Sequence, residues 1–135
     1  MYLIRGQHNL KLFQSRYPDM PLSGTIGNFD GLHIGHQAIL KKIKNNASKY
    51  NSKTIVFFTE PHAAEYFHKV TNENQNPPPR ICPWREKVKL LKSSGIDFAC
   101  FLKFNNDLRT MSPDDFISQI LESINLVSFT VGDDF

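Results

Sequence analysis

The residues best suited to chemistry lie in the stretch GTIGNFDGLHIGHQAIL, residues 24–40. His33 and His36 stand three residues apart, just before apolar positions that recur at helical spacing. Four glycines, which permit positive φ and let a ligand approach the backbone, share the stretch: Gly24, Gly27, Gly31 and Gly35. Because the free N–H groups and the dipole at a helix start attract anions, the segment predicts a phosphate cradle.

The two histidines have a use in phosphoryl or nucleotidyl transfer. Such reactions leave little covalent work for the protein, so catalysis consists of positioning and of stabilising developing charge. Imidazoles at the start of a helix can donate hydrogen bonds to phosphate oxygens, and their protonation is easily tuned. We therefore predict that His33 and His36 stabilise phosphate charge.

The spacing alone leaves other interpretations open. One or both histidines can satisfy a turn or a helix cap, and a metal site with His62 as third ligand is a further alternative. No carboxylate or cysteine stands at a helix-compatible spacing to complete such a site, so we predict no protein-held metal. The segment has neither the GK[ST] of a Walker A loop nor a G-x-G-x-x-G fingerprint.

The strands and helices that must position residues 24–40 can be predicted from the apolar segments of the chain. Four short runs are typical of strands: SGTIGNF (23–29), TIVFF (54–58), DFACFL (97–102) and LVSFTVG (126–132). Helical spacing follows His36, Pro83 and Ser112, and residues 1–21 are expected to be a polar lead-in. The alternation predicts an α/β fold, a Rossmann-like parallel sheet with helices on both faces that binds ligands beyond the carboxyl ends of its strands.

The helical spacing also predicts which positions are buried. After His36 the apolar stripe is Ile39, Leu40, Ile43, Ala47 and Tyr50, with the lysines at 41, 42 and 44 on a solvated face. In the next helix Trp84, Val88 and Leu91 form the apolar face, Arg85 and Glu86 are exposed, and Gly95 marks the end. His8 is expected at the surface.

The amino-acid composition excludes some classes of function. The chain has 135 residues, 40% hydrophobic, with a net charge of +3, which suits one domain but is too weakly basic to indicate nucleic-acid binding. No apolar stretch resembles a secretory signal or a membrane helix, so we expect a cytoplasmic protein without membrane contact. Cys82 and Cys100 form no metal-type pair and are expected to be reduced.

The longer pattern around the histidines closely resembles the FMN adenylyltransferase module of bacterial bifunctional riboflavin kinase/FAD synthetases, in the nucleotidylyltransferase superfamily. The superfamily's His-x-Gly-His signature corresponds to residues 33–36, and the likeness continues through EPH (60–62), PPPRICPWREKVKLL (77–91), SPDDFISQIL (112–121) and VGDDF (131–135). The resemblance implies transfer of AMP from ATP to FMN, giving FAD and pyrophosphate, with Mg²⁺ on the ATP phosphates.

The resemblance also implies roles for particular residues. His33 and His36 would hold the ATP phosphates beside Gly35 of the signature. The nucleotide cleft would be lined by Gly27, Asn28 and Phe29, the turn oriented by Asp30, and the flavin side bordered by Pro61, His62, Phe67 and Asp134. Alternatives stay open for Asp30 as a purely structural turn carboxylate and for Asp133 and Asp134 as a solvated strand exit. Arg80 is undecided between an anion contact and a loop residue.

Two departures from the family pattern bear on the predicted function. The family usually reads TFEPHP where this chain has FTEPHA, so the order of Phe58 and Thr59 is reversed. The family's adenylyltransferase module also continues past GDDF into a segment that grips the ATP phosphates. We therefore expect residues 1–135 to be one adenylyltransferase-like domain, incomplete at its carboxyl end, without a riboflavin kinase domain and separated from the C-terminal part of a parent protein.

Two other functions remain in view. One is a different nucleotidyltransferase of the same signature, of the cytidylyl or pantetheine-phosphate adenylyl type. The other is a non-catalytic fragment that binds a nucleotide or a flavin. Flavin binding discriminates against the first, and turnover discriminates against the second.

Overall fold

The computed structural model of the chain describes residues 1–27, 34–60, 84–103, 115, 118–119 and 124–131. Within these residues, five strands form one sheet and three helices pack against it. The strands are β1 (Tyr2–Arg5), β2 (Leu22–Ile26), β3 (Lys53–Glu60), β4 (Phe98–Lys103) and β5 (Leu126–Val131), and the helices are α1 (Gly6–Arg16), α2 (Ile34–Lys49) and α3 (Trp84–Ser93).

The strands are all parallel and lie in the order β1-β4-β3-β2-β5. The strands β2, β3 and β4 follow one another across the sheet in chain order, whereas β5 lies on the other side of β2. The order in which the chain adds strands to the sheet therefore reverses at β2: β3 and β4 are added on one side of it and β5 on the other. In open parallel sheets, the crevice at such a switch point is where ligands bind. The predicted α/β class with a parallel sheet is confirmed.

Two hydrophobic cores lie on the two faces of the sheet. Successive side chains of a strand point to opposite faces, so β3 contributes Ile55 and Phe57 to one core and Val56 and Phe58 to the other. The first core contains side chains of α1, and the second contains side chains of α2 and α3. Helices on both faces, as predicted, keep the central strands away from water.

Residues 1–21 are not the polar lead-in expected from the sequence. They form β1, which pairs with β4, and α1, which packs Leu10 and Phe13 into the first core. The prediction was wrong because β1 has only four residues and α1 buries only Gly6, Leu10 and Phe13. A helix with so few buried positions owes its stability to tertiary packing more than to local pattern.

Most of the predicted stripe of α2 is confirmed. Leu40, Ile43 and Ala47 are buried, and the lysines at 41, 42 and 44 are exposed. The placement of Tyr50 in the stripe is wrong, because the helix ends at Lys49 and Tyr50 is 47% exposed. The chain turns there through Asn51, whose φ of 51° is the left-handed conformation common after a helix.

The predicted limits of α3 and most of its predicted faces agree with the structure, and the side chain of Trp84 lies outside the described residues. Leu91 is buried, Val88 is half-buried, and Arg85 and Glu86 are exposed. Gly95 follows the helix with φ of 83°, and the N–H of Ile96 donates to the carbonyl of Leu91, which closes the helix end.

At the amino edge of the sheet, one aspartate, Asp97, is hydrogen-bonded to the starts of two other strands. One Asp97 carboxylate oxygen accepts from the Thr54 N–H at 2.9 Å and from the Thr54 hydroxyl at 3.1 Å. The Asp97 N–H donates back to that hydroxyl at 2.9 Å, and its carbonyl accepts from the N–H of Tyr2. Asp97 thereby links the starts of β1, β3 and β4.

The third helix predicted from the sequence, after Ser112, falls almost wholly outside the described residues. Ile124, which follows this segment, is described and is buried in the first core. Among the helices that the structure describes, none is both long enough and apolar enough to cross a lipid bilayer.

Candidate functional site

The carboxyl edge of the sheet brings together the strand ends that precede most of the predicted site residues in the sequence. Ile26, the last residue of β2, is in register with Val131, the last residue of β5, and on its other side with Phe57 of β3. The last residues of β3 and β4, Glu60 and Lys103, are also in register. The segments that follow β2 and β5 therefore leave the sheet side by side, at the switch point of the topology.

Gly27 is the first residue beyond β2 and is half-buried. Its N–H donates to the carbonyl of Phe57 at 3.1 Å, so the ladder between β2 and β3 extends one residue past the strand. This bond holds Gly27, the residue that precedes Asn28, Phe29 and Asp30 in the sequence, close to the central strands.

The first turn of α2 lies at the same edge, because a helix that follows a parallel strand begins where that strand ends. Gly35 and His36 are its second and third residues, and the His36 side chain is half-buried. The first turn of α2 contains no acidic residue of its own, so the helix itself adds no carboxylate at the positive end of its dipole. A helix start of this kind can contribute backbone N–H groups to an anion site.

The position of α2 over the switch point is set by contacts with both neighbouring strands. Its apolar residues Leu40 and Ile43 pack in the second core, and the Asn46 amide donates to the Ser128 hydroxyl of β5 at 3.0 Å. The helix thus contacts β2, β3 and β5.

The remaining predicted site residues lie outside the described residues. They are Asn28, Phe29, Asp30, His33, Pro61, His62, Phe67 and Asp134, together with the alternatives Arg80 and Asp133. The structure does describe the strand ends that precede them: Pro61 follows Glu60 directly, and Asp134 comes three residues after Val131. The roles of these residues stay predictions, and the strand ends that precede Pro61 and Asp134 in the sequence lie at the carboxyl edge of the sheet.

Gly24 serves packing within the sheet. It lies inside β2, and a Cβ added there would come within 2.8 Å of Ile55 Cγ2 and 3.0 Å of the Ile55 carbonyl oxygen. Such distances leave no room for a side chain. The absence of bulk at Gly24 is therefore explained by the neighbouring strand.

One buried charged residue at this edge was not singled out from the sequence. Lys87, in the first turn of α3, is only 3% exposed, and its Nζ lies 5.5 Å from the centroid of the Phe58 ring. The signal was available: Lys87 stands four residues before Leu91 and so lies on the apolar face of the helix.

Metal-binding side chains do not converge in the part of the chain that the structure describes. No group of three or more His, Cys, Asp or Glu residues is arranged there to hold an ion. The alternative in which His62 completes a metal site falls outside the described residues.

Comparison with known proteins identifies relatives along the whole chain. The FAD synthetase family matches residues 18–135. The bifunctional riboflavin kinase/FMN adenylyltransferase of Buchnera aphidicola subsp. Acyrthosiphon pisum is 38% identical over 136 residues, and the proteins of the same name from Escherichia coli K12 and Haemophilus influenzae are 36% and 34% identical. Each match covers 100% of this chain and 40% or 41% of the relative, so the chain spans about 40% of the length of these curated relatives.

A solved structure supports the fold independently. The macrolide-efflux protein from Streptococcus pneumoniae superimposes with a TM-score of 0.75, over 97% of this chain and 48% of that one. At 19% identity this likeness concerns the fold alone. The family match covers residues 18–135, and within them the parallel sheet places Gly27 and His36 at its switch point. The chain belongs to the FAD synthetase family.

Proposed function

We propose that this chain transfers AMP from ATP to FMN, giving FAD and pyrophosphate. In this reaction a phosphate oxygen of FMN attacks the α-phosphorus of ATP. The bond from that phosphorus to the bridging oxygen of the β-phosphate breaks, and pyrophosphate leaves with the bonding electron pair. Membership of the FAD synthetase family over residues 18–135, with Gly27 and the first turn of α2 at the switch point, is the observation that carries the proposal.

The proposal gives each predicted residue a task at the carboxyl edge. His33 and His36 donate hydrogen bonds to the ATP phosphates beside Gly35, where the backbone N–H groups at the start of α2 add to the positive potential. The cleft for the nucleotide is lined by Gly27, Asn28 and Phe29, and Asp30 orients the turn that carries them. The flavin side is bordered by Pro61, His62, Phe67 and Asp134. This division of tasks is supported by the position of β2, which precedes the nucleotide residues in the sequence and pairs with β3 and β5, the strands that precede the flavin residues.

Mg²⁺ is part of the proposal as an ion carried by the ATP phosphates. Mg²⁺ commonly keeps several waters and binds through substrate phosphates with few protein carboxylates. The described residues fit that role, since they offer helix N–H groups and an imidazole near the crevice and no cage of acidic side chains. When bound, the ion would neutralise charge on the phosphates.

The proposal includes the surroundings of the reaction. Its partners are the small molecules ATP and FMN, without nucleic acid or membrane, and its location is the cytoplasm, where ATP is available. The relatives are named as bifunctional, and the chain spans about 40% of their length. The proposal therefore concerns adenylyl transfer and assigns no riboflavin kinase activity to residues 1–135.

FAD formation tests the proposal directly. FMN, ATP and Mg²⁺ are incubated with the chain and with the full-length protein that carries it, and FAD is separated from FMN by chromatography. We expect FAD and pyrophosphate in equal amounts from the full-length protein. Adenylylation or cytidylylation of another acceptor without FAD would show that the flavin assignment is wrong. Binding of FMN and ATP without turnover in either protein would favour a non-catalytic binding module.

A further inference from the structure

A groove lies where the outer edge of β1 meets α1. Of the described strands only β4 pairs with β1, so none of them covers the other edge of β1. The groove has a volume of about 360 Å³ and is lined by β1 and by one stripe of α1, which consists of Asn9, Leu12, Phe13 and Arg16. These positions are spaced i, i+3, i+4 and i+7 and therefore share one face of the helix. We call this feature the edge groove.

Apolar side chains are concentrated around the edge groove. Phe13 is buried beneath it in the first core, and the ring centroids of Tyr2 and Tyr17 lie 6.3 Å and 5.4 Å from that of Phe13. Four of the apolar side chains that line it are between 37% and 55% exposed: Tyr2, Leu3, Leu12 and Tyr17. Single apolar residues are ordinary on a protein surface, whereas a cluster around one groove is typical of an interaction site.

The backbone at this edge can pair with a further strand. The N–H of Tyr2 donates to the carbonyl of Asp97 at 2.9 Å, so Tyr2 faces β4. Because alternate residues of a strand direct their backbone groups to opposite sides, the N–H and C=O of Leu3 point away from β4. The next outward carbonyl, that of Arg5, accepts from the Asn9 amide at 2.7 Å. An added strand would therefore pair with Leu3 and end beside the start of α1.

The charge of this region is positive. Residues 1–18 contain Arg5, Lys11 and Arg16 and no aspartate or glutamate. Arg5 and Arg16 line the edge groove, and among the described residues no carboxylate does so. A second copy of the groove would bring like charges together, whereas an acidic segment would complement them. The partner that fits is an extended protein segment in which acidic residues alternate with apolar ones.

We propose that the edge groove binds an extended acidic segment of another protein, which adds a strand to the sheet beside β1. The backbone of this segment pairs with Leu3, its apolar side chains cover Tyr2 and Leu12, and one of its carboxylates meets Arg16. In the sheet, β4 and β3 separate β1 from the switch point between β2 and β5. The bound segment therefore leaves the candidate site open, and its binding is independent of the adenylyl transfer proposed above.

Peptide binding to the full-length protein tests the proposal. The probe is the fluorescein-labelled peptide EVEVEVE. One control peptide, KVKVKVK, reverses its charge, and the other, EEEEEEE, lacks apolar side chains. Fluorescence anisotropy at low ionic strength measures the Kd of each peptide. We expect EVEVEVE to bind at least about tenfold more tightly than either control, because it alone supplies both the acidic charge and the apolar contacts.

Variants test the hydrogen bond and the charge separately. Leu3→Pro removes the outward N–H and leaves the pairing with β4 intact, and Leu3→Ala controls for the lost side chain. Arg16→Glu reverses a charge in the groove, and Lys11→Glu makes the same change on α1 outside it. We expect EVEVEVE to bind about three- to tenfold more weakly to Leu3→Pro than to Leu3→Ala, and to Arg16→Glu than to Lys11→Glu, as for one lost hydrogen bond or one reversed ion pair.

Three results overturn the proposal. The first is a folded wild-type protein that does not bind EVEVEVE, or that binds EEEEEEE equally well, which would indicate attraction by charge alone. The second is equal binding by Arg16→Glu and Lys11→Glu, and this comparison decides the outcome where Leu3→Pro fails to fold. The third is a dimer in sedimentation velocity that Arg16→Glu or Leu3→Pro alters, which would assign the groove to a second copy of the chain. Since binding is measured directly, a wild type that makes no FAD leaves this test unaffected.

Discussion

His36 is the third residue of α2 and lies half-buried at the carboxyl edge of the sheet. At the scale of single residues, its position combines an imidazole with the backbone N–H groups of a helix start. A second polar side chain, Thr25, lies one residue before the end of β2 and is fully buried. Among the residues that the structure describes, the Thr25 hydroxyl has no hydrogen-bond partner, so it lacks the stabilisation that other buried hydroxyls gain from hydrogen bonds.

His36→Ala is expected to lower kcat for FAD formation by about 10²–10³, the loss typical of one donor to developing oxyanion charge. The thermal midpoint should change little, because the side chain is only half-buried. The matched control is His8→Ala, which removes an exposed histidine from α1 and should leave the rate unchanged. Equal rates in the two variants would refute a role for His36 in phosphate stabilisation.

Thr25→Val is expected to leave the free energy of unfolding unchanged or to raise it by up to about 1 kcal/mol, because it removes an unsatisfied buried hydroxyl. The same substitution at Thr54 is the control. The Thr54 hydroxyl exchanges two hydrogen bonds with Asp97, so Thr54→Val should cost about 2 kcal/mol. Urea denaturation measures the free energy of unfolding of both variants. A larger loss of stability in Thr25→Val than in Thr54→Val would contradict the inference that the Thr25 hydroxyl is unsatisfied.

At the scale of secondary-structure elements, the two edges of the sheet have different tasks. The carboxyl edge carries Gly27 and the start of α2, and the amino edge is fastened by Asp97. Asp97 bonds to the starts of β1 and β3 from the residue that precedes β4. Mutations at the amino edge should therefore change stability without changing the chemistry at the other edge.

Asp97→Ala is expected to lower the free energy of unfolding by about 2–3 kcal/mol, because the Thr54 N–H and hydroxyl lose a charged acceptor. Asp97→Asn keeps a carbonyl oxygen and should recover part of this loss. Asp19→Ala, which removes an exposed carboxylate, is the control and should change stability by less than about 0.5 kcal/mol. KM and kcat measured well below the melting temperature should match the wild type, and a specific loss of kcat would refute the division between edges.

At the scale of the whole molecule, the sheet buries its centre completely between two layers of helices. Cys100 of β4 lies there, fully buried among apolar side chains of the first core. Burial raises the pKa of the Cys100 thiol well above its ordinary value of 9.0. The folded protein therefore keeps a proton that the unfolded chain releases above pH 9, and this links stability to alkaline pH.

The free energy of unfolding should fall as pH rises above 9, by up to about 1.4 kcal/mol per pH unit from this thiol. The sign follows because the native state binds more protons than the unfolded state in that range, so the thiol's contribution is complete at neutral pH. Urea denaturation at pH 8, 9 and 10 measures the slope. Cys100→Ala removes the group and should show a shallower slope, while equal slopes would contradict the assignment.

The alternation of apolar strands and helical stripes predicted the class of fold from the sequence, because central strands covered on both faces, such as 54–58, read as continuous apolar runs. The same reasoning missed β1 and α1, whose few buried residues carry little periodic signal. It also missed the burial of Lys87, since a lysine beside Arg85 and Glu86 suggests an exposed helix face.

The sequence by itself predicted the chemistry: histidines and glycines before a helix, within a pattern that resembles FAD synthetases, predict a phosphate site. Local residue types suffice for this because helix starts and glycine turns depend on neighbouring residues only. Strand order and the sites it builds were decided by tertiary structure alone. The pairing of Ile26 with Val131 and the place of Lys87 under Phe58 depend on contacts between residues distant in the chain, and no local pattern encodes them.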